Sequence, residues 1–177
     1  NLDPNKSIGE QFDQCFDSND HFKDNQEACK LAKTILKDWK IHNQTNNQQK
    51  GYFGSIYIND KYKQIVLAHR GTDDRWDIIA NFDEVILGNT IRYQSQKAYE
   101  MVHEAVKLAK EKKDYALSFT GHSLGAFLAE LSLYFCYSED LNYKKAKSVT
   151  FDSPGSKLQL DKLHKSHVSN PYVDSLN

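Results

Sequence analysis

Tyr115-Ala116-Leu117-Ser118-Phe119-Thr120 is a short β-prone run that leads straight into Gly121-His122-Ser123-Leu124-Gly125, a Gly-x-Ser-x-Gly pentapeptide. From Leu124 to Tyr137 the chain is apolar nearly all round, which predicts a buried helix. Strand, pentapeptide and helix in this order predict a turn so sharp that the serine takes a strained backbone and its neighbours must be glycine to avoid collision. Such an elbow projects the Ser123 hydroxyl from the sheet's edge and aims a helix N-terminus at it, where the Leu124 N–H can stabilise an oxyanion. The bland alternative is a glycine-rich turn with an inert serine, and the flanking strand and helix weigh against it.

Both sides of this stretch alternate between helix and strand patterns. Arg92 to Lys113 carries Ala98, Met101, Val102, Ala105, Val106 and Ala109 at helical spacing, and Lys147 to Phe151 reads as another strand. Upstream, Tyr52 to Ile58 and Tyr62 to Ala68 flank Asn59-Asp60-Lys61 as a hairpin would. From Asp20 to His42 the residues Phe22, Ala28, Leu31, Ala32, Ile35, Leu36 and Trp39 predict a packed helix, and the polar run Asn43 to Lys50 predicts an exposed loop. The expected fold class is α/β, a largely parallel sheet with helices. At 177 residues it is expected as a single domain over 1–177, with an N-terminal helical segment 1–45 and a core from 52 to 177.

Composition narrows the function classes. With 23 Lys+Arg against 24 Asp+Glu, the formal charge of −1 gives no electrostatic case for nucleic acid or a polybasic membrane anchor. No window approaches the roughly 18 consecutive apolar residues of a membrane span. Cys15, Cys29 and Cys136 form no zinc-gripping spacing, so no metal site and no cofactor are expected. Cys15 and Cys29 can pair only in an oxidising compartment; otherwise all three are small buried hydrophobes. The sequons Asn5-Lys6-Ser7 and Asn43-Gln44-Thr45 carry meaning only in a secretory context, so localisation stays open.

His69-Arg70-Gly71-Thr72 follows the strand Ile65 to Ala68, where an α/β-hydrolase places the loop supplying its other oxyanion donor. Read alone, it is more readily a strand-to-loop transition with a solvated arginine. Four blocks, Leu67 to Thr72, Trp76 to Asp83, Thr120 to Ala126 and Val149 to Gly155, resemble in order and spacing those of the class 3, fungal-type lipases. The resemblance runs from about Tyr52 to Gly155. It implies an α/β-hydrolase fold, with a mostly parallel central sheet and helices on both faces. It also implies Ser123 as nucleophile, Thr72 and Leu124 as the oxyanion hole, and Gly121, His122 and Gly125 as the elbow. The stretch around Trp76 is then the interfacial lid. Its mixture of charges with Trp76, Ile78 and Ile79 suits a segment that covers an apolar cleft and touches a lipid interface transiently, or equally a surface helix with Trp76 inward. His69 departs from the family's usual aromatic residue, and Asp152 from its usual small one, which implies a divergent subfamily.

A serine hydrolase of this fold needs a carboxylate and a histidine after its serine. His164 and His167 are the only histidines there, preceded by Glu130, Glu139, Asp140, Asp152 and Asp161. Glu130 is expected on the elbow helix pointing away from its start, and Asp161 lies too near His164 to occupy a separate loop. Asp152 can serve His164 or His167, but no further strand separates them. The family pattern implies Asp174 as the acid, after a strand at Val168 to Val173, and no histidine follows it. The expectation is a chain truncated at its C-terminal side, before the catalytic histidine, and weak or inactive alone. The function expected of the whole is a serine-dependent carboxylic ester hydrolase, of lipase or phospholipase type, working through an acyl-enzyme at Ser123. The alternatives are a non-catalytic binding or scaffold module lacking a complete triad, and an acyltransferase on the same fold.

Overall fold

The computed structural model describes Asp3 and residues 5–11, 26–47, 51–71, 89–138 and 140–156. Among these residues the chain forms helix α1 (Gln26–Leu36), strands β1 (Lys40–Asn47), β2 (Tyr52–Asn59) and β3 (Gln64–His69), helix α2 (Asn89–Glu111), strand β4 (Ala116–His122), helix α3 (Leu124–Cys136) and strand β5 (Lys147–Phe151). The strands make one sheet in the order β1-β2-β3-β4-β5. The first three pair antiparallel, and β3, β4 and β5 pair parallel through helical crossovers by α2 and α3.

Alternation explains which face is buried. In β3, Ile65, Leu67 and His69 point into the core and Gln64, Val66 and Ala68 point the other way. Ile56 and Ile58 of β2 and Leu117 and Phe119 of β4 join them beneath α2 and α3. The two helices pack on this face and on each other, with Tyr99 and Phe135 edge to face at 5.1 Å. Helix α3 is buried around most of its circumference, as its composition requires. Cys136 lies at its end as a buried hydrophobe, and burial pushes its thiol up to about 12, so it stays protonated and unreactive. No helix among the described residues is long and apolar enough to cross a membrane.

Two expectations need correction upstream of the core. The polar run from Asn43 is a strand as far as Asn47, paired to β2 at the sheet's edge, and the helix before it ends at Leu36 rather than at His42. The ladder supplies the backbone bonds, while Asn43 donates to Glu104 of α2 (2.7 Å) and Gln44 to Ser55 of β2 (3.1 Å). A polar edge strand also discourages pairing with foreign strands. Helix α1 is less packed than its periodicity implies: Leu31 and Ile35 remain 61% and 58% exposed. Its C-terminal turn is held instead by the N-terminal segment, through Gly9 N–H to Leu36 O and Ile8 N–H to Trp39 O.

The register positions the site. His69 stands opposite Gly121 across β3 and β4, and His122 opposite Phe151 across β4 and β5. The C-terminal ends of three parallel strands are therefore level, where open α/β sheets gather their chemistry.

Candidate active site

Ser123 joins β4 to α3 with φ 55° and ψ −125°. A side chain in the left-handed region is costly outside glycine, and it persists only where the surroundings over-determine it. Here they do. The Ser123 N–H donates to Phe151 O (3.1 Å), and its carbonyl accepts from the N–H groups of Ala126 (2.9 Å) and Phe127 (3.3 Å). A serine before a helix ordinarily caps it with its hydroxyl. Ser123 makes no side-chain capping bond, so its backbone angles release the hydroxyl from that structural task.

The flanking glycines are required by contact distance. A Cβ on Gly121 would lie 2.2 Å from the carbonyl carbon and oxygen of Gly125. One on Gly125 would lie 2.2 Å from the His69 carbonyl oxygen. Gly71 is pressed in the same way, its Cβ position 2.7 Å from His122 O and 3.5 Å from Ser123 Cβ. From His69 to Gly71 the chain leaving β3 thus lies directly on the elbow. Leu124 has its side chain in the core. As the first residue of α3 it carries one of the N–H groups that have no intrahelical acceptor.

Thr72, Trp76, Asp161, His164, His167 and Asp174 lie outside the described residues. Glu130 lies in the second turn of α3 and accepts from Thr150 Oγ1 (3.3 Å). Asp152 sits just past β5 at φ 51°, its carboxylate 3.6 Å from His122 Nε2 with both side chains exposed. Among the described residues no three His, Cys, Asp or Glu side chains converge as a metal site.

One functional group escapes sequence reasoning. The His69 imidazole is buried, with Nδ1 3.1 Å from the Tyr52 hydroxyl and Nε2 2.9 Å from Ser132 Oγ. Ser132 spends its own hydrogen on Leu128 O (2.7 Å), so toward His69 it can only accept. Nε2 therefore carries the proton, and Nδ1 accepts from Tyr52. Gly54, register partner of His69, makes room: a Cβ there would lie 2.5 Å from the Tyr52 oxygen. Burial alone lowers the His69 pKa to about 3, and burial, then the nearby Glu100 charge, raises that of Tyr52. Both are neutral, and His69 has no free nitrogen to act as a base for Ser123. The available signals are a histidine on the inward side of β3 and a glycine two residues after Tyr52.

Strand, strained serine and buried helix come in the order by which an α/β-hydrolase builds its nucleophile elbow, and fold and elbow together put the chain in that class. Within the class it belongs to the class 3 lipase family, whose model, described as Lipase (class 3), matches residues 5–174. An uncharacterized protein of Rickettsia prowazekii is 35% identical over 112 residues, which cover 60% of this chain and 29% of that protein. The fold is similar to lipase II from Rhizopus niveus (TM-score 0.58, 21% identity, 70% of this chain and 52% of that one). It is also similar to the Rhizomucor miehei lipase in its native propeptide complex (0.57, 18%, 69% and 43%) and to the Yarrowia lipolytica Lip2 lipase (0.53, 19%, 74% and 52%). The chain thus spans about half of these lipases or less, and under a third of the Rickettsia protein.

Proposed function

We propose that this chain carries the nucleophile of a serine-dependent carboxylic ester hydrolase acting on lipid esters. The observation that carries the reading is Ser123: an L-residue at φ 55° and ψ −125°, at a helix start, with its hydroxyl unused as a cap. Ser123 Oγ attacks the ester carbonyl, and the oxyanion is received by the N–H groups of Thr72 and Leu124. The proton that Ser123 gives up on attack is handed by the base to the leaving oxygen, which departs as an alcohol, and water then hydrolyses the acyl-enzyme to the acid and free Ser123. Gly71, which precedes Thr72 in sequence, lies against the elbow, and this supports the reading. Asp174 is the proposed acid. The histidine it would orient is to be sought after it in the order Ser, acid, His.

The test is labelling with a fluorophosphonate carrying a lipid-like chain, applied to the longest natural product of the gene. Ser123 is expected to be modified, and Ser123→Ala to abolish modification and ester hydrolysis by at least about 10³-fold. A correctly folded natural product that resists the phosphonate would instead make Ser123 a relic in a binding module.

A further inference from the structure

At the other pole of the sheet, the end of α2 and the segment entering β5 enclose an open cavity of about 510 Å³ lined by Lys110, Lys113, Lys144 and Lys145, with Asn142 and Tyr143 between them. Helix α2 ends just before β4 begins, and residues 142–146 lead directly into β5, which runs parallel to β4. The cavity therefore lies by the N-terminal ends of these strands, whereas Ser123 follows the C-terminal end of β4. The seven residues of β4 separate the two ends by about 20 Å. A small molecule in the cavity does not reach the elbow.

These lysines form no ion pair among the described residues. Four lysines elsewhere do meet acids: Lys61 lies 3.1 Å from Asp38, Lys63 3.3 Å from Asp114, Lys112 3.3 Å from Asp60, and Lys97 beside Glu100. Among the described residues no carboxylate lies within ion-pair distance of Lys113, Lys144 or Lys145. Lys110 donates to a backbone carbonyl, that of Leu141 (2.9 Å). Lys110 and Lys113 also stand at the C-terminus of α2, where cations offset the helix dipole. Lys144 and Lys145 belong to the opposite rim, and the dipole gives no reason for them. Four ammonium groups around one concavity in a chain of net charge −1 focus a positive field into it.

We propose that this cavity binds a phosphate group, presented by a small phosphate compound or by a lipid head group. Lysines converging from two sides act as point charges on a compact phosphate anion, and the volume falls within the roughly 300–1,000 Å³ of small-ligand sites. The site stands apart from the ester-hydrolase reading, since none of its residues belongs to the elbow.

The test measures calorimetric binding of inorganic pyrophosphate to the chain at about 0.15 M salt. A second arm is co-sedimentation with phosphatidylcholine vesicles with and without phosphatidylglycerol. The informative variant is Lys144→Gln with Lys145→Gln, both exposed positions whose replacement is expected to leave the melting temperature unchanged. Lys61→Gln, a paired lysine elsewhere, is the control. Saturable pyrophosphate binding that weakens at least about tenfold in the double variant, and not in the control, is the expected result. Sedimentation that needs phosphatidylglycerol and is lost in the double variant assigns the phosphate to a lipid head group. Pyrophosphate binding without sedimentation assigns it to a small compound. Binding of neither probe, or equal binding by the double variant, overturns the proposal.

Discussion

A Gly121→Ala chain is expected to melt about 6 °C or more below the unsubstituted one. The added methyl meets the Gly125 carbonyl carbon and oxygen at 2.2 Å and the Ala126 nitrogen at 2.8 Å, all backbone atoms at the start of α3. No rotamer change relieves such a contact, so either the helix start must lift from β4 or the strand must bend. Helix α3 is buried with Phe127, Leu128, Leu131 and Phe135 in the core, so lifting it opens space that nothing fills. Overpacking of this kind costs about 3 kcal/mol, which in a chain of this size is a fall of about 6 to 12 °C. Gly125→Ala should be comparably destabilising for a different reason: its methyl drives into His69 O and the Arg70–Gly71 peptide, parting the loop after β3 from the elbow. Thermal unfolding followed by circular dichroism reads both. A Gly121→Ala chain that melts within about 1 °C of the parent would mean that strand and helix do not meet as closely as described.

The same contacts show why the elbow was legible in sequence and other parts were not. Gly121 is fixed by contacts within five residues, with Gly125 and Ala126, so an apolar strand, a glycine and an apolar helix already carry that part of the geometry, whereas Gly125 answers to His69, Arg70 and Gly71, far upstream in sequence. Strand β5 was legible for a similar local reason, its β-prone run matching Lys147–Phe151. Strand β1 was not, because pattern reading looks for alternating apolar residues. An edge strand whose Asn43 and Gln44 bond across to Glu104 and Ser55 has none to show. The stripe on α1 misled in the opposite sense, since periodicity says which residues share a face and not whether anything covers it. The candidate site divides the same way. Ser123 and Leu124 follow from the pentapeptide, whereas Thr72 and Asp174 rest on the family pattern. The Tyr52–His69–Ser132 chain depends on the pairing of Gly54 with His69 and on a helix 63 residues away, which no local window contains.

That buried chain sets the second large expectation, a loss of stability in mild acid. Tyr52 faces His69 from β2 and Ser132 faces it from α3, and no charged group offsets its burial, which lowers its pKa from 6.5 to about 3. In the unfolded chain the imidazole takes a proton as the pH falls through 6.5, while in the folded chain it stays neutral until about 3. Between those values the unfolded state holds the extra proton, so the stabilisation is complete above 6.5 and drains away as the pH falls toward 3. The slope is about 1.4 kcal/mol per pH unit, so moving from neutral pH to about 4.5 costs on the order of 2 to 3 kcal/mol from this residue alone. Carboxylates add their own acid sensitivity, so the measurement is a difference. His69→Phe combined with Tyr52→Phe removes the titrating ring and the hydroxyl it would leave unpaired, while Ser132 keeps its bond to Leu128 O. Urea unfolding at neutral pH and at about 4.5 should show the parent losing about 2 to 3 kcal/mol more than the double variant. Equal losses would mean that His69 takes up its proton in the folded chain as readily as in the unfolded one, and the hydrogen-bond direction from Tyr52 through His69 to Ser132 would then be wrong.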